Sequence, residues 1–124
     1  MGHTTTWEKD GVYWNIYGIL DSAETLSFNE ELSDNSRLNE LKYFIWDSID
    51  VVEFLIDEDD ATLASIFAKL STQYNVKIKG AFIVKDNYIK KLAHEYIENS
   101  ERLGSSWKFK TFDNIEDARK WIIT

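Results

Sequence analysis

The 124-residue chain predicts an α/β fold: a mixed, mostly parallel sheet of about five strands with about four helices, in the order ββαβαβαβα. Three observations predict it. Short β-branched and aromatic runs alternate with segments whose apolar residues recur at helical spacing. Acidic helix-start signals follow several of those runs: Asp21 with Glu24, Asp86, and Asp113 with Glu116. An Asp10–Gly11 turn signal separates the first two strand-like pieces, so an antiparallel hairpin leads into the parallel sheet.

The elements follow in order. Thr4 to Glu8 fits an edge strand, and GVYWNIYGIL (Gly11 to Leu20) a full strand. A helix from Asp21 to about Ser33 turns Leu26 and Leu32 inward, and Asn35 to Glu40 is polar loop. LKYFIWD (Leu41 to Asp47) is nearly all apolar, as suits a strand buried on both faces. Ala61, Leu63, Ala64, Ile66, Phe67, Leu70 and Tyr74 then recur as one helix. VKIKGAFIV (Val76 to Val84) is the next strand. The following helix is capped by Asp86, with Tyr88, Ile89, Leu92, Ala93, Tyr96 and Ile97 on one face, and Gly104 breaks the chain after it. SWKFKTF (Ser106 to Phe112) is a strand, and Asp113 opens a last short helix carrying Ile115, Ala118, Arg119 and Ile122. Asp47, Asp86 and Asp113 are each expected where a strand ends, at the carboxyl edge of the sheet, where open α/β folds bind ligands.

Composition bounds the function. The chain is 44% hydrophobic and 15% aromatic, enough for one core, and reads as a single domain over 1–124 with 1–10 as a tail or edge strand. It has no Pro and no Cys, so no disulfide framework and no thiolate chemistry. The amino terminus lacks the basic and apolar regions of a secretory signal, and no stretch is apolar enough to span a bilayer, so a soluble, cytoplasmic protein is expected. A net charge of −8 disfavours nucleic acid. Residues 1–60 carry 3 basic and 15 acidic side chains against 11 and 7 in the rest, an asymmetry that suits a partner or a homodimer.

Four stretches carry a resemblance: GVYWNIYG, YFIWDSIDVVEF, VKIKGAFIVKD and SSWKFKTFDNIEDARKWI, the last with Phe112, Ala118 and Trp121. From about Gly11 to Ile122 the chain resembles the SpoIIAA-like family, which has the STAS fold of sulfate transporters and anti-sigma-factor antagonists. The resemblance implies a non-enzymatic regulatory or protein-interaction module. In anti-sigma-factor antagonists, a serine at the start of the helix after the central strand is phosphorylated and controls kinase binding. Here that corner reads Asp57, Glu58, Asp59, Asp60, with Glu58 near the serine position and Ser48 and Thr62 the nearest hydroxyls. Asp47, Ser48 and Asp57 to Asp60 are therefore the candidate switch or interaction corner, and a switch serine is expected to be missing. Glu58 can imitate a phosphoserine; the plainer account is that Asp59 or Asp60 caps the helix.

Other chemistry is thinly supported. Four consecutive acids lack the spacing of a calcium loop, and no metal or cofactor is expected. His3 falls in the tail and His94 on the polar side of its helix, and no G-x-S-x-G elbow supports a nucleophile. The five glycines are isolated, which excludes a phosphate loop. Lys77, Lys79, Lys108 and Lys110 alternate on strands, either as a small cationic stripe or as a solvated sheet edge. Trp14, Tyr17, Phe44, Trp46, Phe82 and Trp107, with Trp121 nearby, either fill the core or line a pocket for a small apolar or amphiphilic ligand.

Overall fold

The structure, a computed structural model, describes residues 2–34, 38–75 and 77–124. Its elements are β1 (Gly2–Trp7), β2 (Gly11–Asp21), α1 (Ser22–Asp34), a 3-10 turn (Leu38–Glu40), β3 (Tyr43–Leu55), α2 (Glu58–Ser71), β4 (Lys79–Ile83), α3 (Asn87–Arg102), β5 (Lys108–Phe112) and α4 (Ile115–Ile122). The sheet order is β1-β2-β3-β4-β5, with β1 antiparallel to β2 and every other pair parallel. The architecture is the mixed, mostly parallel α/β sheet that alternating strand and helix patterns predict. Of the expected Asn35 to Glu40 loop, residues 35–37 lie outside the described residues, as does Val76, and Leu38 is buried.

The two faces of the sheet are covered unequally. On one face Val12, Trp14, Ile16 and Leu20 of β2 and Phe44 and Phe82 of β3 and β4 pack against Phe28, Leu32, Ala68, Ile89 and Leu92 from α1, α2 and α3. On the other, Ile45, Ala81 and Ile83 pack against one helix, α4, through buried Ala118 and partly buried Ile115, Trp121 and Ile122. The centre is crowded. A Cβ at Gly80 would lie 2.4 Å from Phe44 Cζ and 2.7 Å from Phe109 Cδ1, so only glycine lets those rings close over β4.

Several sequence expectations are corrected. β3 does not stop at Asp47. Pairing with β4 ends there, Asp47 opposite Ile83, but β3 continues along β2 to Leu55 as a two-stranded arm. Two register shifts, where β3 spends an extra residue between Asn15 and Tyr17 and again between Gly18 and Ile19, break the alternation that marks a strand. Leu63, Ile66 and Leu70 are exposed on the outer side of α2 and Tyr74 in the turn after it, while Ser65, Ala68 and the C-cap Thr72 are buried. Small residues let α2 lie close to α3 and α1, and the larger ones are left outside. Tyr88 is likewise exposed, its hydroxyl donating to Ile56 O at 2.9 Å. His3 is part of β1, not a free tail: Nδ1 lies 2.5 Å from Glu24 Oε2, Nε2 meets Glu31, and the ring packs against Phe28 at an angle of 52°.

Candidate functional site

The acidic corner is a helix start. Asp57 is the N-cap of α2, in place of Asp59 or Asp60. Its Oδ1 accepts from the N–H groups of Asp59 at 3.0 Å and Asp60 at 3.2 Å, and Asp60 Oδ2 accepts from Asp57 N at 2.9 Å. This reciprocal box satisfies three backbone donors that the first helical turn leaves free. Glu58 pairs with Lys91 of α3 at 3.7 Å, both side chains largely exposed. Ser48 stands apart from this corner: it is buried, and its hydroxyl donates to Ile83 O at 2.9 Å. Thr62 is exposed one turn into α2.

Asp47, inside β3 where its pairing with β4 ends, Asp86 after β4 and Asp113 after β5 do not form a site. Asp47 Oδ2 accepts from the Tyr13 hydroxyl at 2.6 Å, and Oδ1 from Ile49 N at 3.1 Å. Burial, and then Asp47, push the Tyr13 phenol up to about 12. Asp86 caps α3, accepting from Ile89 N. Asp113 is not a cap; that role falls to Asn114, which accepts from Asp117 N, and Asp113 pairs with Lys90 at 3.3 Å. Among the described residues, no three His, Cys, Asp or Glu side chains are placed to hold a metal ion. His94 is exposed on α3. Lys79 reaches Trp121 O and Thr124 and lies over the Trp121 ring, while Lys108 and Lys110 are exposed on the outermost strand β5.

The aromatic residues are brought together on the helix-covered face. They line a cavity of about 100 Å³ that opens to solvent at one side. Its floor is Trp14, Phe44, Trp46 and Phe82 from β2, β3 and β4, and its far wall is Ile89, Leu92, Ala93 and Tyr96 of α3, with Trp107. Phe28 and Leu32 of α1 roof it. Its more exposed rim is Thr25 and Asn29 of α1 and Asp57, Asp60, Ala61 and Ala64 around the start of α2. The rings support one another: Trp14 to Phe28 is 5.1 Å, Trp46 to Phe82 is 5.7 Å and Phe82 to Tyr96 is 5.3 Å between centroids. Five of the six aromatic residues singled out in the sequence line this cavity. Tyr17 does not; it lies on β2 with 41% of its surface exposed. Alternation along β2 puts Trp14 and Ile16 on the buried face, which leaves Tyr17 on the other. Sequence reasoning missed the contributions of α1 and α2. Phe28 could have been found, because it shares a helical face with Leu32.

A second polar group occupies the opposite face. Arg119 of α4 donates to both oxygens of Glu8, at 2.6 and 2.7 Å, and the Tyr43 hydroxyl donates to the same carboxylate. The Arg119 guanidinium also lies 5.7 Å from the Tyr13 ring centroid. Arg119 holds the Glu8 carboxyl below its ordinary range against the opposing effect of burial, and Glu8 raises Arg119 in turn. Burial, and then Glu8, push the Tyr43 phenol up to about 12. Every charged atom in this group has a partner, so it ties the loop before β2 to α4.

No family model matches the chain, and no curated protein matches it. Among solved structures it is similar to an uncharacterised protein of the DUF3478 family with a SpoIIAA-like fold from Shewanella loihica. That likeness has a TM-score of 0.57 at 15% identity and covers 98% of this chain and 93% of the other. The chain therefore has a SpoIIAA-like fold, the fold its sequence resembles. No helix among the described residues is long and apolar enough to cross a membrane.

Proposed function

We propose that this domain is a non-catalytic binding module that takes up a small apolar molecule between the sheet and helices α1, α2 and α3. One observation carries the reading: a cavity of about 100 Å³ inside a SpoIIAA-like fold, walled by rings from three strands. An apolar cavity of this order has room for a ring-sized guest, and its open rim gives that guest a way in. The polar groups argue against catalysis. His94 is solvated, His3 is held between two carboxylates, and Ser48 spends its hydroxyl on a backbone carbonyl. The same features weigh against a phosphorylation switch, since Ser48 is buried and the corner beside Thr62 already carries four acids.

Native mass spectrometry of gently purified protein tests the reading. A mass excess that organic solvent removes is the expected result. In parallel, 2-phenylethanol should shift the indole N–H resonances of Trp14, Trp46 and Trp107 and leave those of Trp7 and Trp121 in place. A bare mass together with unmoved indole signals would sink the proposal.

A second reading, a protein-interaction module, rests on exposed apolar side chains. Tyr17, Ile19, Val52 and Leu55 are exposed on the β2–β3 arm, Val52 at 82%, and Leu63, Ile66 and Leu70 form a stripe on α2. Such surfaces suit an unknown protein partner or a homodimer. Sedimentation velocity over a wide concentration range, with Val52→Lys as control, separates a dimer through the arm from a monomer.

A further inference from the structure

Two hydroxyls on the inner side of α3 are left unbonded. Ser100 is 1% exposed, and its Oγ is wholly enclosed with no hydrogen-bond partner among the described residues. Tyr96 lies one turn earlier and lines the cavity, and the Ser100 hydroxyl is the polar group beside its phenol. No hydrogen bond joins the two as they stand. The Tyr96 phenol is deep in the protein, yet the residue keeps accessible surface, and that surface belongs to the cavity. We infer that Tyr96 is the polar anchor of the cavity: its hydroxyl donates a hydrogen bond to a neutral acceptor oxygen, a carbonyl, hydroxyl or ether, on the ring-sized guest. The inference rests on the uptake of an apolar molecule proposed above and adds the group by which that molecule is held.

Counting hydrogens fixes the direction of the bond. Each hydroxyl has one hydrogen to give. If Tyr96 gave its own to Ser100, the serine hydrogen would stay enclosed with no acceptor. If Ser100 turns its hydrogen to the phenol oxygen, the Tyr96 O–H is left for the cavity. Only the second arrangement satisfies both groups, and it needs an acceptor in the cavity. Burial pushes the Tyr96 phenol above its ordinary range, and the Ser100 hydroxyl offsets part of that, so the phenol keeps its proton and stays a donor. The acceptor is neutral. Among the described lining residues no Lys, Arg or His is present to pair with an anion, and Asp57 and Asp60 repel one at the rim. An ammonium has no lone pair for the phenol to bond. The donor is also held in place: the Tyr96 ring meets Phe82 at 5.3 Å and Phe109 at 4.9 Å between centroids, edge-on at 73° and 74°. A donor fixed in this way loses little freedom when the guest arrives.

The test compares acetophenone, which carries an acceptor, with ethylbenzene, the same body without the oxygen. Each is titrated against the wild type and Tyr96→Phe while the indole N–H signals of Trp14, Trp46 and Trp107 are followed. Tyr96→Phe keeps the ring and is expected to weaken acetophenone by about threefold to tenfold, the worth of one neutral hydrogen bond, and to leave ethylbenzene unchanged. The infrared carbonyl stretch of bound acetophenone should lie lower in the wild type than in Tyr96→Phe, a shift that altered packing alone does not give. Ser100→Ala leaves the phenol in place and should cost acetophenone less than Tyr96→Phe does. Phenylacetate should bind more weakly than acetophenone. The anchor is overturned, while apolar uptake stands, if Tyr96→Phe holds acetophenone as well as the wild type or weakens ethylbenzene equally. It is overturned likewise if Ser100→Ala costs as much as Tyr96→Phe, or if phenylacetate binds better than acetophenone. If neither acetophenone nor ethylbenzene moves the cavity indoles, both readings fall.

Discussion

Glu8 sits between a guanidinium and a phenol, and its charge is what those donors recognise. Because Arg119 and Tyr43 bond the ionised form, the folded carboxyl titrates below the ordinary carboxylate range. The sign follows from linkage. A depressed folded pKa means that the unfolded chain binds more protons in the window just below the unfolded value. The stabilisation is therefore complete above that value and lost as pH falls through the folded pKa. Glu8→Gln should cost about 1–2 kcal/mol near pH 7, less than a buried pair because 42% of the Arg119 side chain is exposed. Urea midpoints of the two proteins should converge as the pH is lowered below about 4. A gap that persists unchanged in acid would show that Glu8 acts by shape and not by charge. None of this was legible in the sequence, since Glu8 and Arg119 are 111 residues apart. His3 was hidden in the same way: its partners Glu24 and Glu31 look like ordinary surface acids of α1 until β1 is laid beside them.

At the scale of elements, local signals were read well where the chain is regular and poorly where it is not. Helix positions followed from periodicity, and Asp86 from its place before an apolar face. The caps of α2 and α4 were each misplaced, by two residues or three and by one, because runs such as Asp57 to Asp60 or Asp113–Asn114 offer several competent caps. Only the backbone decides: Asp57 has extended φ and ψ of −136° and −169°, and Asp59 and Asp60 lie inside the helix. The length of β3 was missed because its two register shifts turn a period of two into an irregular string with acids at Asp50 and Glu53. The acidic corner can be tested as an element. Asp57→Ala should destabilise the fold by about 1 kcal/mol and Asp57→Asn by only a few tenths. Glu58→Ala and Asp59→Ala should stay within about 0.5 kcal/mol, as exposed positions do. A large loss at Glu58, measured by denaturant unfolding, would mean that its pair with Lys91 carries more than an exposed ion pair should.

At the scale of the whole molecule, strand order equals sequence order, so the charge gradient along the chain becomes a gradient across the sheet. The acidic first half builds β1, β2 and β3, and the basic second half builds β4 and β5. The cavity lies under the helices between these halves, with its charged rim on the acidic side. That its rings cluster was legible from their number and their place in strands. That they leave a space was not, because a void depends on how closely α1 and α2 approach each other, and no local pattern sets that distance. Filling the space tests both stability and use. Ala64 of α2 borders the cavity, and leucine is nearly as good a helix former as alanine. Ala64→Leu should raise stability by about 1 kcal/mol, the usual gain of a cavity-filling substitution, and the melting temperature by about 4 °C. The same variant should lose the indole shifts caused by 2-phenylethanol. A lower melting temperature would mean that the helices cannot admit the added carbons, since overpacking costs about 1–3 kcal/mol. Higher stability with binding intact would place the guest elsewhere. Higher stability with binding lost is the pattern of a fold that leaves room for a ligand at the expense of its own packing.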